Sequence, residues 1–220
     1  MASVDDITRR PLKTRGRKWA MVLARWLAQA GVRPNTISVA SVVFAVQAGG
    51  CLWLAGRATQ AWQWSVLLVL AAAGVQLRLL CNMLDGMVAI EGGFRTRSGE
   101  IYNELPDRFS DALILAGAAY SVPSVDWTRD LGWVAAVLAV ITAYVRALGV
   151  GAGAGQQFVG PMAKPHRMAV MTVACLLAAL APGWGQLAWA LPAALGVIVI
   201  GCLVTIARRT WRIVGELESK

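Results

Sequence analysis

The chain has 220 residues, of which 57% are hydrophobic and 15% charged, and its 21 Lys and Arg outnumber its 12 Asp and Glu for a net charge of +9. A soluble domain carries about 25% charged residues and a disordered chain is poor in apolar side chains, so both classes are excluded. Residues 168–207 hold no Asp, Glu, Lys, Arg or His. At ~1.5 Å rise per residue such a stretch crosses a ~30 Å hydrocarbon layer about twice. The composition therefore predicts an all-α, polytopic membrane protein. Its excess of basic residues fits a cytoplasmic face and anionic lipid headgroups rather than nucleic acid.

Residues 1–35 read as a basic cytoplasmic segment. No apolar run follows its first basic cluster at signal-peptide distance, so no cleaved leader is expected. Within it, residues 17–30 place Trp19, Val22, Leu23, Trp26, Leu27 and Ala30 on one helical stripe, with Arg17, Lys18 and Arg25 mainly off it. That pattern predicts an amphipathic helix lying in the membrane interface or packed on the bundle. Gly31 and Pro34 end it, and Asn35 and Thr36 are candidate caps for the helix that follows.

Six spans are then expected, at about 36–55, 61–84, 105–122, 131–150, 167–182 and 187–207, forming one transmembrane domain over 36–207 with a cytoplasmic tail over 208–220. Arg95, Arg97, Lys164, Arg167, Arg208, Arg209, Arg212 and Lys220 fall on the side of the basic N-terminal segment if the spans alternate, whereas the opposite side keeps Arg57 and Arg129. Both termini are accordingly placed in the cytoplasm. Trp53, Trp62, Trp64, Trp127, Trp133, Trp184 and Trp189 sit near the outer ends and read as an interfacial belt. Cys51, Cys81, Cys175 and Cys202 lie scattered in apolar sequence with no CxxC pair and read as small core residues. The glycine-rich run 149–155 lacks the Lys-Ser/Thr of a phosphate loop and reads as a closely packed helix end.

The acids carry the chemical signal. Asp85, Glu91, Glu100, Glu104, Asp107 and Asp111 are six of the twelve, and acids beside apolar spans face a cavity, a metal or a partner. Asn82 and Asp85 are three residues apart at the end of the second span. Gly99, Asn103, Asp107 and Asp111 follow in steps of four at the start of the third. On helices each set shares a face, so the two can converge near the cytoplasmic surface. Hard oxygen donors without Cys or His suit Mg²⁺ or Mn²⁺ rather than zinc. A polar network without metal is the alternative.

Residues 82–107, NMLDGMVAIEGGFRTRSGEIYNELPD, resemble the signature of the CDP-alcohol phosphatidyltransferase family, D-x2-D-G-x2-A-R-x8-G-x3-D-x3-D. Asp85, Gly86, Ala89, Gly99 and Asp107 match in register. Asn82, Ile90 and Asn103 replace two Asp and the Arg, a variant pattern similar to a bacterial branch of the family. The resemblance implies transfer of a phosphate-linked lipid group from a CDP-alcohol, such as CDP-diacylglycerol, to an acceptor hydroxyl with release of CMP. It implies a divalent metal held by Asn82, Asp85, Asn103 and Asp107, with Asp107 also the base. Asp111 is a further candidate ligand and catalytic acid group, able to replace a missing charge. Asp85, Gly86, Ala89 and Gly99 are implied to receive the cytidine diphosphate, and Arg146, Lys164 and Arg167 to contact acceptor or lipid phosphate. Topology alone is the competing explanation for Lys164 and Arg167. His166 reads as a polar residue at a helix start, and Arg78, a cation in apolar sequence, requires a partner. A homodimer in the bacterial inner membrane is implied as well, with Gly117 and its alanine neighbours offering a close-packing face. A non-catalytic lipid- or nucleotide-binding homologue and a small transporter are the other readings. Transporter sites lie near the midplane, whereas these acids crowd one face.

Overall fold

The computed structural model describes residues 18–94, 99–180 and 189–220, and among these it contains helices and turns but no strand. The helices are α1 (Lys18–Gln29), α2 (Pro34–Ala55), α3 (Ala61–Glu91), α4 (Gly99–Ala118), α5 (Trp127–Gly151), α6 (Lys164–Ala179) and α7 (Ala190–Glu218). Four of them, α2, α3, α5 and α7, are long and apolar enough to cross a membrane. The other two predicted spans fall short for different reasons. Helix α4 carries Glu104, Asp107, Arg108 and Asp111 along its length, and α6 has only 16 residues, about 24 Å at the helical rise.

Helices α2 to α7 pack as a closed ring in the order α2–α3–α6–α7–α5–α4 and back to α2. Small residues let neighbours come close. A Cβ on Gly117 of α4 would strike the backbone of Gly49 on α2, and one on Gly132 of α5 would strike Ala119. The small-residue face around Gly117 is thus occupied within the chain, rather than left free for a second copy. The main apolar core runs through the ring and includes Leu52, Leu68, Ile114, Leu115, Met171, Leu195 and Ile198. Trp64 belongs to it at 1% exposure. It is therefore a core residue and not part of the belt. Trp53, Trp62, Trp127, Trp133 and Trp189 are exposed, and Trp184 lies outside the described residues.

Helix α1 packs on the last turns of α3. Ala20 and Ala24 are buried against Met83, Leu84, Met87 and Val88, and Arg25 Nε bonds Glu91 at 3.1 Å. Trp19, Val22 and Trp26 stay exposed, so the stripe has one edge on the bundle and one edge free. Gly31, with φ at +75°, ends the helix in the left-handed conformation that glycine adopts without strain. The expected Asn35 and Thr36 caps do not form. The N-cap of α2 is Arg33, which makes no side-chain cap bond, and Pro34 occupies the first turn, where its missing N–H costs nothing. Helix α7 continues through position 208 to Glu218 without a break, so the tail set apart at 208 is largely an extension of the last helix.

Candidate active site

The site lies where α3 ends and where α4 and α6 begin, the same end of the bundle that α1 covers. Each helix of the ring sends a polar group inward there. Arg78, Asn82 and Asp85 lie along α3, at steps of four and three that keep them on one side of the helix. Asp107 and Asp111 lie one turn apart on α4, and Lys164 and Arg167 open α6.

Asp111 is 1% exposed and Arg78 is fully buried. Arg78 Nη2 donates to Asp111 Oδ1 at 2.7 Å, and to Asp107 Oδ1 and the Asp107 carbonyl at 3.3 Å each. Arg167 Nη2 takes the other oxygen of Asp111 at 2.5 Å, while its Nη1 bonds the Met162 carbonyl at 2.8 Å and Thr142 Oγ1 at 3.3 Å. Asp111 therefore has a guanidinium on each carboxylate oxygen. Arg209 of α7 extends the network, donating to the Thr142 and Val159 carbonyls at 2.5 and 3.0 Å. A buried charge survives only where partners replace its water; here each guanidinium meets a carboxylate or backbone carbonyls, while Arg78 Nε and Nη1 and Arg167 Nε are buried without a hydrogen bond.

Asp107 stands one turn nearer the mouth. Its Oδ1 also accepts from Asn82 Nδ2, and its Oδ2 pairs with the Lys164 ammonium. Asp85, 4% exposed, is held by neutral donors. Ser38 Oγ of α2 donates to it at 2.7 Å and the Gly86 backbone N–H at 2.6 Å. No cation pairs with Asp85 among the described residues, although Lys164 and Asp107 lie within its electrostatic reach. Gly86 and Ala89 are half-buried on α3, and Gly99 is half-buried at the start of α4.

The structure thus brings together Asn82, Asp85, Asp107, Asp111, Lys164 and Arg167. Asn103 is exposed, and no bond ties it to this group. Arg146 is set apart too. Its Nη2 bonds Glu104 at 2.6 Å, Glu104 also pairs with Arg108, and the guanidinium lies 5.3 Å from the Phe158 ring centre. Glu104, Arg108 and Arg146 border an apolar-walled cavity of about 610 Å³ between α4 and α5, lined also by Leu105, Tyr144 and Val150. Ser38, Thr142 and Arg209 were not singled out from sequence as parts of the site. A serine or threonine in an apolar helix bonds its own backbone as readily as a distant partner, and Arg209 reads as one of several basic residues closing a span.

No family model matches the chain. It is 27% identical to phosphatidylinositol phosphate synthase of Mycobacteroides abscessus over 197 residues, covering 85% of this chain and 80% of that one. It is 26% identical to the enzyme of the same name from Mycolicibacterium smegmatis, covering 87% and 82%. It is also 26% identical to the inner membrane protein YnbA of Escherichia coli, covering 73% and 75%. The fold matches the crystal structure of Mycobacterium tuberculosis phosphatidylinositol phosphate synthase with CDP-DAG bound, at a TM-score of 0.71 and 21% identity over 90% of this chain and 94% of that one. The structure of that protein with manganese and citrate gives a TM-score of 0.68. These likenesses run over most of the chain and agree with the resemblance of residues 82–107 to the CDP-alcohol phosphatidyltransferase signature.

Members of this family are expected to use a divalent cation, and the donors present fit one. Mg²⁺ and Mn²⁺ take hard oxygens and are commonly held by one or two carboxylates, with water and substrate phosphate completing the shell. Asp85 and Asp107 supply two carboxylates. Asn82 gives its Nδ2 to Asp107, which leaves its amide oxygen available. No group of three or more His, Cys, Asp or Glu that could hold a metal ion converges among the described residues.

Proposed function

We propose that the chain is a membrane-embedded phosphotransferase of phospholipid synthesis, which moves the phosphatidyl group of CDP-diacylglycerol to an acceptor alcohol and releases CMP. The observation that carries this reading is the pairing of Asp85 and Asp107 across α3 and α4 at the signature spacing, in a chain whose relatives are phosphatidylinositol phosphate synthases. In the reaction, the acceptor oxygen forms a bond to the phosphorus that carries the lipid, and the bond from that phosphorus to the CMP oxygen breaks. Asp107 takes the acceptor proton. Asn82, Asp85 and Asp107 would hold a Mg²⁺ or Mn²⁺, which would supply positive charge against the diphosphate.

Gly86, Ala89 and Gly99 leave room at the mouth for the cytidine diphosphate. Lys164 and Arg146 are placed to meet phosphate oxygens, Lys164 beside Asp107 and Arg146 at the cavity between α4 and α5. Asp111 and Arg167 act from the interior by fixing Arg78 and the start of α6. Six spans, with α4 and α6 completing the ring across a bacterial inner membrane, fit this reading. So do α1 in the interface, both termini and the site on the cytoplasmic side, and a homodimer in the bilayer. The test is CMP release by the purified protein in detergent with CDP-diacylglycerol, Mg²⁺ and a panel of acceptor alcohols. Turnover with at least one acceptor, lost on chelation, is expected. Binding of CDP-diacylglycerol with no turnover across the panel would instead favour a non-catalytic homologue.

A further inference from the structure

Two positions in the signature bring an amide where an acid is called for, and a lysine stands against one of the acids that remain. We propose that this site takes a single divalent cation per chain, and that the Lys164 ammonium supplies the second positive charge beside Asp107. The inference rests on the phosphotransferase reading and specifies how its metal site works.

Charge is the first argument. Asp85, Asp107 and Asp111 bring three negative charges to the network, and Arg78, Lys164 and Arg167 bring three positive ones. These six side chains sum to zero before any ligand arrives, and Arg209, bonded to the Thr142 and Val159 carbonyls behind them, adds one more positive charge. One divalent ion brings the six to +2, a charge that the diphosphate of the nucleotide offsets. A second ion would leave an excess of positive charge among buried groups, where charge is poorly screened. Geometry is the second argument. Both oxygens of Asp111 are engaged by guanidiniums, Asn103 faces solvent, and Asp85 is the one carboxylate of the three with no cation on it among the described residues. Lysine chemistry is the third. An ammonium is a compact point charge on a flexible stem, and Lys164 is only partly buried, at 25% side-chain exposure. It can hold Asp107 while the diphosphate is absent and turn to a phosphate oxygen when the diphosphate binds. Metal affinity is therefore low until the nucleotide joins, because Lys164 competes with the ion for Asp107.

The experiment is a titration of the purified full chain in detergent with Mn²⁺, with free ion read by electron paramagnetic resonance, in the presence and absence of CDP. CDP binding is followed in parallel by equilibrium dialysis. One Mn²⁺ per chain with CDP is expected, and binding about tenfold or more weaker without it, in line with the interaction of close unit charges in a partly buried site. Lys164→Met strengthens Mn²⁺ binding in the absence of CDP by about tenfold, whereas Lys164→Arg leaves it near the starting value. Asn82→Asp, which keeps Lys164 and adds a carboxylate beside Asp107, also strengthens it. Two Mn²⁺ per chain in the unsubstituted protein would overturn the inference. So would Mn²⁺ binding that neither CDP nor Lys164→Met changes. If CDP does not bind with or without Mn²⁺, the phosphotransferase reading fails and the inference falls with it.

Discussion

Asp107 and Asp111 are one turn apart, yet their surroundings give them different work. Asp107 has Asn82 and Lys164 at the mouth, and Asp111 has only guanidiniums within. Asp107→Asn keeps the shape and one acceptor oxygen while removing the base. CMP release is expected to fall by about 10²-fold or more, with the thermal unfolding temperature in detergent falling less than in Asp111→Ala, because Lys164 is partly exposed and Arg78 keeps Asp111. Full turnover in that variant would remove Asp107 as the base. Asp111→Ala strands Arg78 and Arg167 in the interior. Breaking one side of a buried ion pair costs about 3–5 kcal/mol, so a large drop in unfolding temperature is expected. Asp111→Asn, which still accepts hydrogen bonds, should lose less. A direct metal ligand would behave otherwise, giving a well-folded variant with weakened Mn²⁺ binding.

Among the helices, α4 decides most. Asp107 and Asp111 face the network from its middle, and its last turns pack closely on α2, where Gly117 meets Gly49. Gly117→Val forces these backbones apart, and overpacking of this kind costs about 1–3 kcal/mol. Gly215→Val on α7, where nothing lies within 4 Å, serves as the control and should change stability far less. Fluorescence-detected melting of the two variants checks the contrast. Pro106 lies inside α4 and withdraws one backbone N–H from the helix, one turn before Ser110. Helix α1 was legible as amphipathic, but the division of its stripe was not. Alanines 20 and 24, which a hydrophobic pattern ranks below Trp and Leu, are the fully buried residues of the contact with α3, and Leu23 and Leu27 of the stripe pack beside them partly buried.

At the scale of the whole molecule, most charged groups gather at one end, and Trp53, Trp62, Trp127, Trp133 and Trp189 are exposed at the other, while Trp19, Trp26 and Trp211 are exposed at the end of the site. Arg25–Glu91, the Glu104 cluster and Glu216, which accepts from the Gly155 N–H at 2.7 Å, share the end of the site. Arg57 over Trp53 at 3.5 Å, and Trp127 against Trp189 at 5.7 Å, lie at the far end. This polarity supports the proposed topology. Cysteines placed at Lys220 and Arg129 in a background free of Cys51, Cys81, Cys175 and Cys202 should differ in intact cells. A membrane-impermeant maleimide is expected to label position 129 and spare position 220 until the cells are opened. The reverse pattern would invert the orientation.

The sequence by itself determined the helical class, the apolar stretches and the signature acids. Hydrophobic runs and fixed spacings along a helix are local properties that need no knowledge of neighbours. It also marked Arg78 as a cation in need of a partner. Tertiary structure alone decided which partner. Asp111 shares the face of Asp107 by spacing, but the approach of α3 and α6 places a guanidinium on each of its oxygens and withdraws it from the mouth. The same approach sets Lys164 on Asp107 and leaves Asn103 outside. The order of helices around the ring settles these contacts, and that order depends on close packing between residues such as Gly49 and Gly117, far apart in the chain.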